Sequence, residues 1–353
     1  MNLNLNVNKN FDEVITQSRK DIWRYATLLG DVKNENFVDP QQSDFTPIEQ
    51  LGEWSVKRED QSVVGSHKFR GITYQLSCLL EQNIKHAVLS SSGNAAIAAS
   101  RILPENANLK LFVFLSKQTP AEKLAALKFS PNFIPILSER PLRMLKYVSK
   151  HFKMTDLRPS QDPNAVTGFR SLGFEIFEQK PDIENIFSFA TSFASVRGIA
   201  EAFEALIKMG ARKQMPKIYA ATPRGQLTIG LDRQDVDKSR HMSTRSRHNN
   251  LSSRQQSTQV DISRQKFLSS RQANFPNVQQ VDISDNEISL MKDQFSSLDT
   301  SNEGFASLAA AEKIKPVGES LVILTGKNWQ DGKVDVSKFE TADNFVEVDK
   351  IMF

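Results

Sequence analysis

Lys68 closes the stretch Gly65-Ser66-His67-Lys68, and the turn Ser90-Ser91-Ser92-Gly93-Asn94 follows about one helix and one strand later. A primary amine attacks a carbonyl carbon once burial or a nearby positive charge has stripped its proton. A Ser/Gly/Asn turn at the start of an Ala-rich helix offers the complementary tool, backbone N–H groups without helical partners that can hold an anion. An amine and an anion cradle on neighbouring segments suit the chemistry of a carbonyl cofactor. Either alone is ordinary, because most lysines are solvated charges and Ser/Asn turns cap many helices.

The elements that must position these residues follow from periodicity. Residues 11–30 read as a helix, with apolar positions at Phe11, Val14, Ile15, Ile22, Tyr25 and Leu28. Thr46-Pro47-Ile48 leads to a strand over 53–57, and Ile72, Leu76, Leu79 and Leu80 predict a helix from Lys68 to Asn83. Between 85 and 160, strands (86–89, 109–115, 133–137) alternate with helices (94–102, 120–129, 141–152), a pattern of parallel strands with right-handed crossovers. Helices over 168–179, 196–209, 287–295 and 304–314 and strands over 186–190, 217–222 and 320–325 complete the chain. The expected fold is α/β: two three-layer α/β/α domains with mostly parallel sheets. The larger is built from residues 1–84 and 161–353, and the smaller, residues 85–160, is inserted within it.

At 353 residues the chain has room for two modest cores, and 39% hydrophobic with 24% charged residues is ordinary for a soluble globular protein. One cysteine, Cys78, excludes an internal disulfide and any multi-cysteine metal site. Cys78 lies in an apolar run and reads as a packed core thiol. The five histidines do not fall at metal-ligand spacing, so no metal is expected. The alternating start Met1–Asn8 is unlike a signal peptide, and no stretch is apolar enough to span a bilayer, which suits a cytoplasmic protein.

The segments 57–71 and 90–99 resemble the tryptophan synthase β family of pyridoxal-phosphate (PLP) enzymes, fold type II. This family includes serine/threonine dehydratases, threonine synthases and cysteine synthases. The resemblance implies that Lys68 is the Schiff-base lysine and the base that later moves the substrate α-proton. It implies that Asn94 bonds the cofactor's ring hydroxyl oxygen, and that Ser91, Ser92 and Gly93 grip the substrate carboxylate. The cofactor phosphate would sit at Thr191-Ser192-Phe193-Ala194-Ser195, where the family has a Gly-rich loop. Here the glycines are gone, hydroxyls remain, and Arg197 could supply charge. Thr325 ends an apolar strand where the family places a Ser or Thr on the pyridine nitrogen. Glu303 heads a segment like the family's Glu-Pro-x-Ser-Ala, and His67 stands where the tryptophan synthase branch has His, with packing weighed equally against acid/base work.

The subtype divides the motifs. Lys57-Arg58-Glu59-Asp60 leans toward a serine/threonine dehydratase, whereas Thr325-Gly326-Lys327-Asn328-Trp329-Gln330-Asp331 leans toward threonine synthase acting on O-phosphohomoserine. The second is narrowly preferred, and no C-terminal regulatory domain is expected after Thr325. A catalytically impaired PLP-fold protein with a binding role is the alternative of another class. It is motivated by the Gly-poor loop and by residues 233–272, rich in Ser, Gln and Arg, in which Leu251-Ser252-Ser253-Arg254-Gln255 recurs as Leu268-Ser269-Ser270-Arg271-Gln272. That segment reads as a mobile surface insertion, a solvated loop in preference to a polyanion site. An amino-acid substrate and a homodimer are further implications of the resemblance.

Overall fold

The computed structural model describes residues 10–30, 32–38, 44–91, 93–223, 276–330 and 332–352. Residues 233–272, expected as the insertion, lie outside the described residues, and so does Ser92. Among the described residues the strands form two sheets. β1 (Ile48–Leu51), β2 (Trp54–Lys57), β7 (Asn185–Phe189), β8 (Lys217–Pro223), β9 (Val278–Ile283) and β10 (Ser320–Ile323) make one, in the order β1-β2-β10-β7-β8-β9. β3 (His86–Ser91), β4 (Lys110–Ser116), β5 (Phe133–Ser138), β6 (Thr155–Asp156) and β11 (Glu340–Thr341) make the other, in the order β11-β5-β4-β3-β6. β1 and β2 pair antiparallel, and the remaining strand pairs are parallel.

Parallel strands need cover on both faces, and the sequence supplies it. In β10, Leu321 and Ile323 join the core shared with α7 (Asn164–Gln179) and α8 (Ala194–Lys208). Val322 and Leu324 turn to the opposite face, where α10 (Asn302–Ile314) contributes Phe305 and Leu308. In β4, Leu111 and Val113 share a core with Ile97 of α4 (Asn94–Ile102), while Phe112 and Phe114 pack with Met144 and Leu145 of α6 (Pro141–His151). Each sheet is therefore the middle of three layers, the α/β fold expected from the sequence. No helix among the described residues is long and apolar enough to cross a membrane.

α3 (Lys68–Glu81), whose first residue is the candidate lysine, is clamped from two sides. Against α7 the backbones approach so closely that a Cβ on Gly168 would lie 2.3 Å from the Arg70 carbonyl oxygen. Behind α3 lies a buried charge cluster. Arg70 Nη2 is 2.7 Å from Glu59 Oε1 and 2.8 Å from Glu175 Oε2. Lys57 Nζ donates to Glu175 Oε1 at 2.5 Å, to Gln179 Oε1 at 2.6 Å and to the Thr46 carbonyl at 2.5 Å. Two cations meet two carboxylates, so the cluster is neutral and its donors are satisfied, which is the condition for tolerating buried charge. Burial pushes Glu59 up, but Arg70 and Lys57 outweigh it and hold the carboxyl down at about 2.

Four sequence expectations need correction. The helix over 11–30 is three short pieces, α1 (Phe11–Val14), a 3-10 turn at Ile22–Tyr25 and α2 (Ala26–Leu29). The Arg24 guanidinium collects the carbonyls of Thr16, Gln17 and Arg19, so the intervening chain satisfies its acceptors without helical bonds. The helix expected over 120–129 stops early as α5 (Ala121–Ala125), because α4 claims the next backbone groups: Arg101 bonds the Ala126 carbonyl and Ser100 Oγ accepts from Lys128 N–H. β9, unassigned from sequence, pairs with β8 at the sheet edge and feeds the capping box Ser284/Glu287 of α9 (Asp285–Gln294). The C-terminal residues, expected in the larger domain, instead add β11 to β5 of the smaller sheet and pack Val348 of α11 (Phe345–Met352) into its core.

Glu175→Gln removes one anion and leaves Arg70 and Lys57 underpaired, a loss of about 3–5 kcal/mol for a broken buried pair. Urea unfolding at pH 7 should show it; a change below about 1 kcal/mol would contradict the assigned role. Glu59 has a folded value of about 2, below the ordinary 4.5. Its stabilisation is therefore present above pH 4.5 and is lost as pH falls from 4.5 toward 2.

Candidate active site

Three segments are stitched together around the start of α3. Gly65 takes a positive φ of 76°, turning the chain so that Ser66 bridges Gly326 in antiparallel fashion. Lys327 N–H donates to the Gly65 carbonyl at 2.8 Å, and His67 N–H to the Thr325 carbonyl at 3.0 Å. The Gly326 carbonyl in turn accepts from Ser301 N–H at 2.7 Å and from the Thr300 hydroxyl at 3.0 Å. The end of β10 thus fixes both the turn that carries Lys68 and the start of α10.

Lys68 is partly buried, and its Nζ lies 5.7 Å from the ring centroid of Phe169. It makes no hydrogen bond or ion pair among the described residues. Burial lowers the amine to about 8, with the Glu303 carboxylate pulling the other way. About a tenth is therefore unprotonated at pH 7, far more than for an ordinary lysine, as a nucleophilic amine requires. Asn94, the first residue of α4, reaches the same place from the smaller sheet: a Cβ on Gly326 would lie 2.9 Å from Asn94 Nδ2 and 3.5 Å from Ser301 Oγ. Thr325 is buried beside it. Ser66 Oγ, His67 Nε2 and Ser301 Oγ are buried without hydrogen-bond partners among the described residues, so polar capacity is concentrated around Gly326.

The remaining sequence-derived residues fall into place unequally. His67 donates Nδ1–H to the Thr325 carbonyl at 2.7 Å, which leaves Nε2 as a bare acceptor. Burial depresses its pKa to about 3, with the Lys68 charge adding to the effect, so the ring is neutral at pH 7. Ser91 Oγ accepts from the N–H groups of Gly93 (3.0 Å) and Ala96 (3.2 Å) and so caps α4; its hydroxyl proton remains to donate. Gly93 has a φ of 137°, and a Cβ there would strike the Lys123 stem at 2.6 Å. Thr191 is exposed and Ser192 partly so, whereas Phe193, Ala194 and Ser195 are buried at the N-terminus of α8. Phe193 sits at φ 63°, the left-handed region that a glycine occupies without strain. The loop therefore keeps a glycine-like backbone without the glycine. Arg197 does not serve this loop: it points out to Glu201, one turn along α8, at 2.7 Å.

Two residues were not singled out from the sequence. Phe169 is the floor of the site: its ring lies 5.3 Å from that of His67, faces Lys68, and packs with Val166 and Ala194. It joins the Lys68 turn to the residue 193–195 loop, and its one local signal is the Gly168 beside it that permits the close α3–α7 crossing. Trp329 was quoted only as part of the Thr325 segment, yet it touches Asn94. A cleft of about 860 Å³ runs past Thr46, Val63 and Arg101, and a second of about 400 Å³ is walled by Arg101, Lys327 and Trp329.

Comparison with known proteins comes to the same chemistry. The family described as "Pyridoxal-phosphate dependent enzyme" matches residues 42–326. An L-threonine ammonia-lyase of Thermotoga maritima is 27% identical over 187 residues, 50% of this chain and 46% of that protein. A biosynthetic L-threonine dehydratase of Haemophilus influenzae is 26% identical over 155 residues, 40% of this chain and 30% of that protein. The chain thus spans less than half the length of these curated relatives. The structure of serine racemase from Dictyostelium discoideum superposes with a TM-score of 0.58 at 17% identity, covering 86% of this chain and 99% of that one, a likeness of fold.

The amine makes a stability prediction. Its folded value of about 8 lies below the ordinary 10.5, so protonated Lys68 costs stability below pH 8, and the cost fades as pH rises from 8 to 10.5. Cofactor-free Lys68→Met should be more stable than wild type at pH 7 by about 1–2 kcal/mol, discounted for partial exposure, with the gap closing toward pH 10.5. Denaturant titrations at the two pH values read this directly, and a gap that is absent or independent of pH would contradict it.

Proposed function

The chain belongs to the pyridoxal-phosphate dependent enzyme family, and from that premise we propose that it is an ammonia-lyase acting on a small hydroxy amino acid, serine or threonine. The observation that carries the proposal is the unpaired Lys68 amine, lowered to about 8 over the Phe169 ring, on a turn that is bonded to Thr325 and Gly326, with Asn94 Nδ2 beside Gly326. The preference reached from the sequence was for the threonine synthase side. It shifts here because both curated relatives named above are threonine dehydratases.

The family's cofactor is pyridoxal 5'-phosphate, and the donor set suits it. Lys68 would hold it covalently. Asn94 Nδ2, without a hydrogen bond of its own among the described residues, would donate to the ring hydroxyl oxygen, and the Thr325 hydroxyl would meet the pyridine nitrogen. The phosphate would take the free N–H groups at the start of α8 with the hydroxyls of Thr191, Ser192 and Ser195, using the backbone turn that Phe193 preserves. Glycine-free as it is, this loop can still present its N–H groups, because it is the backbone conformation that aims them.

When bound, the cofactor supplies an electron sink for the pair left at the substrate Cα. The protein's part is proton control. Lys68, as a neutral amine, would take the α-proton, and its burial beside Phe169 keeps it low in pKa. Ser91 and Gly93 would orient the substrate carboxylate at the start of α4, with Ser92 of the same turn. Neutral His67 cannot act as an acid at pH 7; its place in the proposal is to tie the lysine turn to Thr325. The β-hydroxyl would leave as water, and a water molecule would then hydrolyse the C=N bond of the resulting 2-imino acid, giving a 2-oxo acid and ammonia. A homodimer and a cytoplasmic location belong to the same proposal.

Protein loaded with the cofactor should release ammonia and a 2-oxo acid from L-threonine or L-serine, and Lys68→Ala should reduce this by at least about 10³-fold, the scale of losing a covalent catalyst and proton shuttle together. Phosphate release from O-phosphohomoserine, with no 2-oxo acid from either hydroxy amino acid, would instead select the synthase reading.

A further inference from the structure

We infer that Trp329 is a positioning residue for Asn94: its indole N–H dictates which way the Asn94 amide faces the cofactor. The inference rests on the reading of this site as a cofactor pocket. Trp329 Nε1 donates to Asn94 Oδ1 at 3.3 Å. An indole nitrogen can only donate, so it must meet the amide oxygen, and the Nδ2 hydrogens are thereby turned the other way. That is where Nδ2 lies, beside Gly326 and Ser301 Oγ and without a hydrogen bond of its own among the described residues. A rotated amide would set its oxygen against the ring hydroxyl oxygen, acceptor against acceptor.

Trp329 is itself held in place. Its ring lies where a side chain at Gly65 would go: a Cβ there would be 2.8 Å from Cζ2. The Arg101 guanidinium lies over the ring, 5.0 Å from its centroid, and is anchored to the Ala126 carbonyl. Trp329 follows β10 of the larger sheet, whereas Asn94 and Arg101 belong to α4 beside the smaller one. The contact therefore carries the position of one unit into the cofactor contact of the other.

Trp329→Phe keeps a ring beside Arg101 and Gly65 but removes the N–H. Titration of cofactor-free protein with pyridoxal phosphate should show affinity about three- to tenfold weaker, the worth of one hydrogen bond, together with a displaced visible band. The thermal midpoint of the cofactor-free protein should be unchanged. Asn94→Ala should weaken binding at least as much, and adding Trp329→Phe to it should cost nothing further, because both act through one contact. In the cofactor-free protein, Asn94→Ala should move the Trp329 indole ¹⁵N–¹H resonance. Wild-type affinity and band in Trp329→Phe, or additive losses in the double variant, would overturn the inference while leaving the site's reading intact. An unmoved indole resonance would overturn the contact itself, whether or not cofactor binds. Wild-type protein that takes up no cofactor would overturn the reading of the site and this role with it.

Discussion

The structure depends on a small set of charges that never meet water. Lys57, Glu59, Arg70 and Glu175 come from β2, the turn after it, α3 and α7, and Thr46 and Gln179 complete their hydrogen bonding. Each ion alone would cost several kcal/mol to bury, so the four are tolerable only together, in one geometry. That geometry fixes where α3 starts relative to β2 and α7. It thereby fixes Lys68, two residues before Arg70 on the same helix.

Lys57 and Lys68 show how one residue type is put to two uses eleven positions apart. Lys57 is fully buried, and its ammonium is spent on Glu175, Gln179 and the Thr46 carbonyl. Lys68 is less buried, yet it faces an aromatic ring and has only the charge of Glu303 favouring its protonated form. Chemistry needs the second arrangement, a desolvated amine with no partner to hold its proton, and the fold supports it by placing satisfied charge behind the helix and unsatisfied polar atoms in front. Phe193 belongs to the same economy of strain. A bulky residue in the left-handed region costs of order 1–3 kcal/mol, and it persists here because its ring is buried and α8 begins directly after it.

Much of this was legible in the sequence because it is local. The Lys68 and Asn94 segments are short motifs whose residue types carry their own mechanism, and the helix expected over 94–102 is the helix observed. The alternation of strand and helix was enough for the layered α/β fold. What escaped was non-local. Phe169 comes under Lys68 through a helix crossing, and Trp329 reaches Asn94 across 235 positions of chain. No periodicity marks either. Arg24 holds the loop that breaks the expected first helix through side-chain bonds to backbone carbonyls, which apolar spacing cannot reveal. The C-terminal strand joins the smaller sheet because β5 offers an open edge there, a fact of topology. For the phosphate loop, the missing glycines were visible in the sequence, whereas the retained backbone at Phe193 was not.

The central claim is that the Lys68 amine is the group that joins the cofactor. It is tested most directly by incubating purified protein with pyridoxal phosphate, reducing the adduct with borohydride and mapping the pyridoxyl label by peptide mass spectrometry. The account predicts a single label on Lys68, absent when Lys68→Ala is treated in the same way. A label confined to other lysines, or none at saturating cofactor, would contradict it.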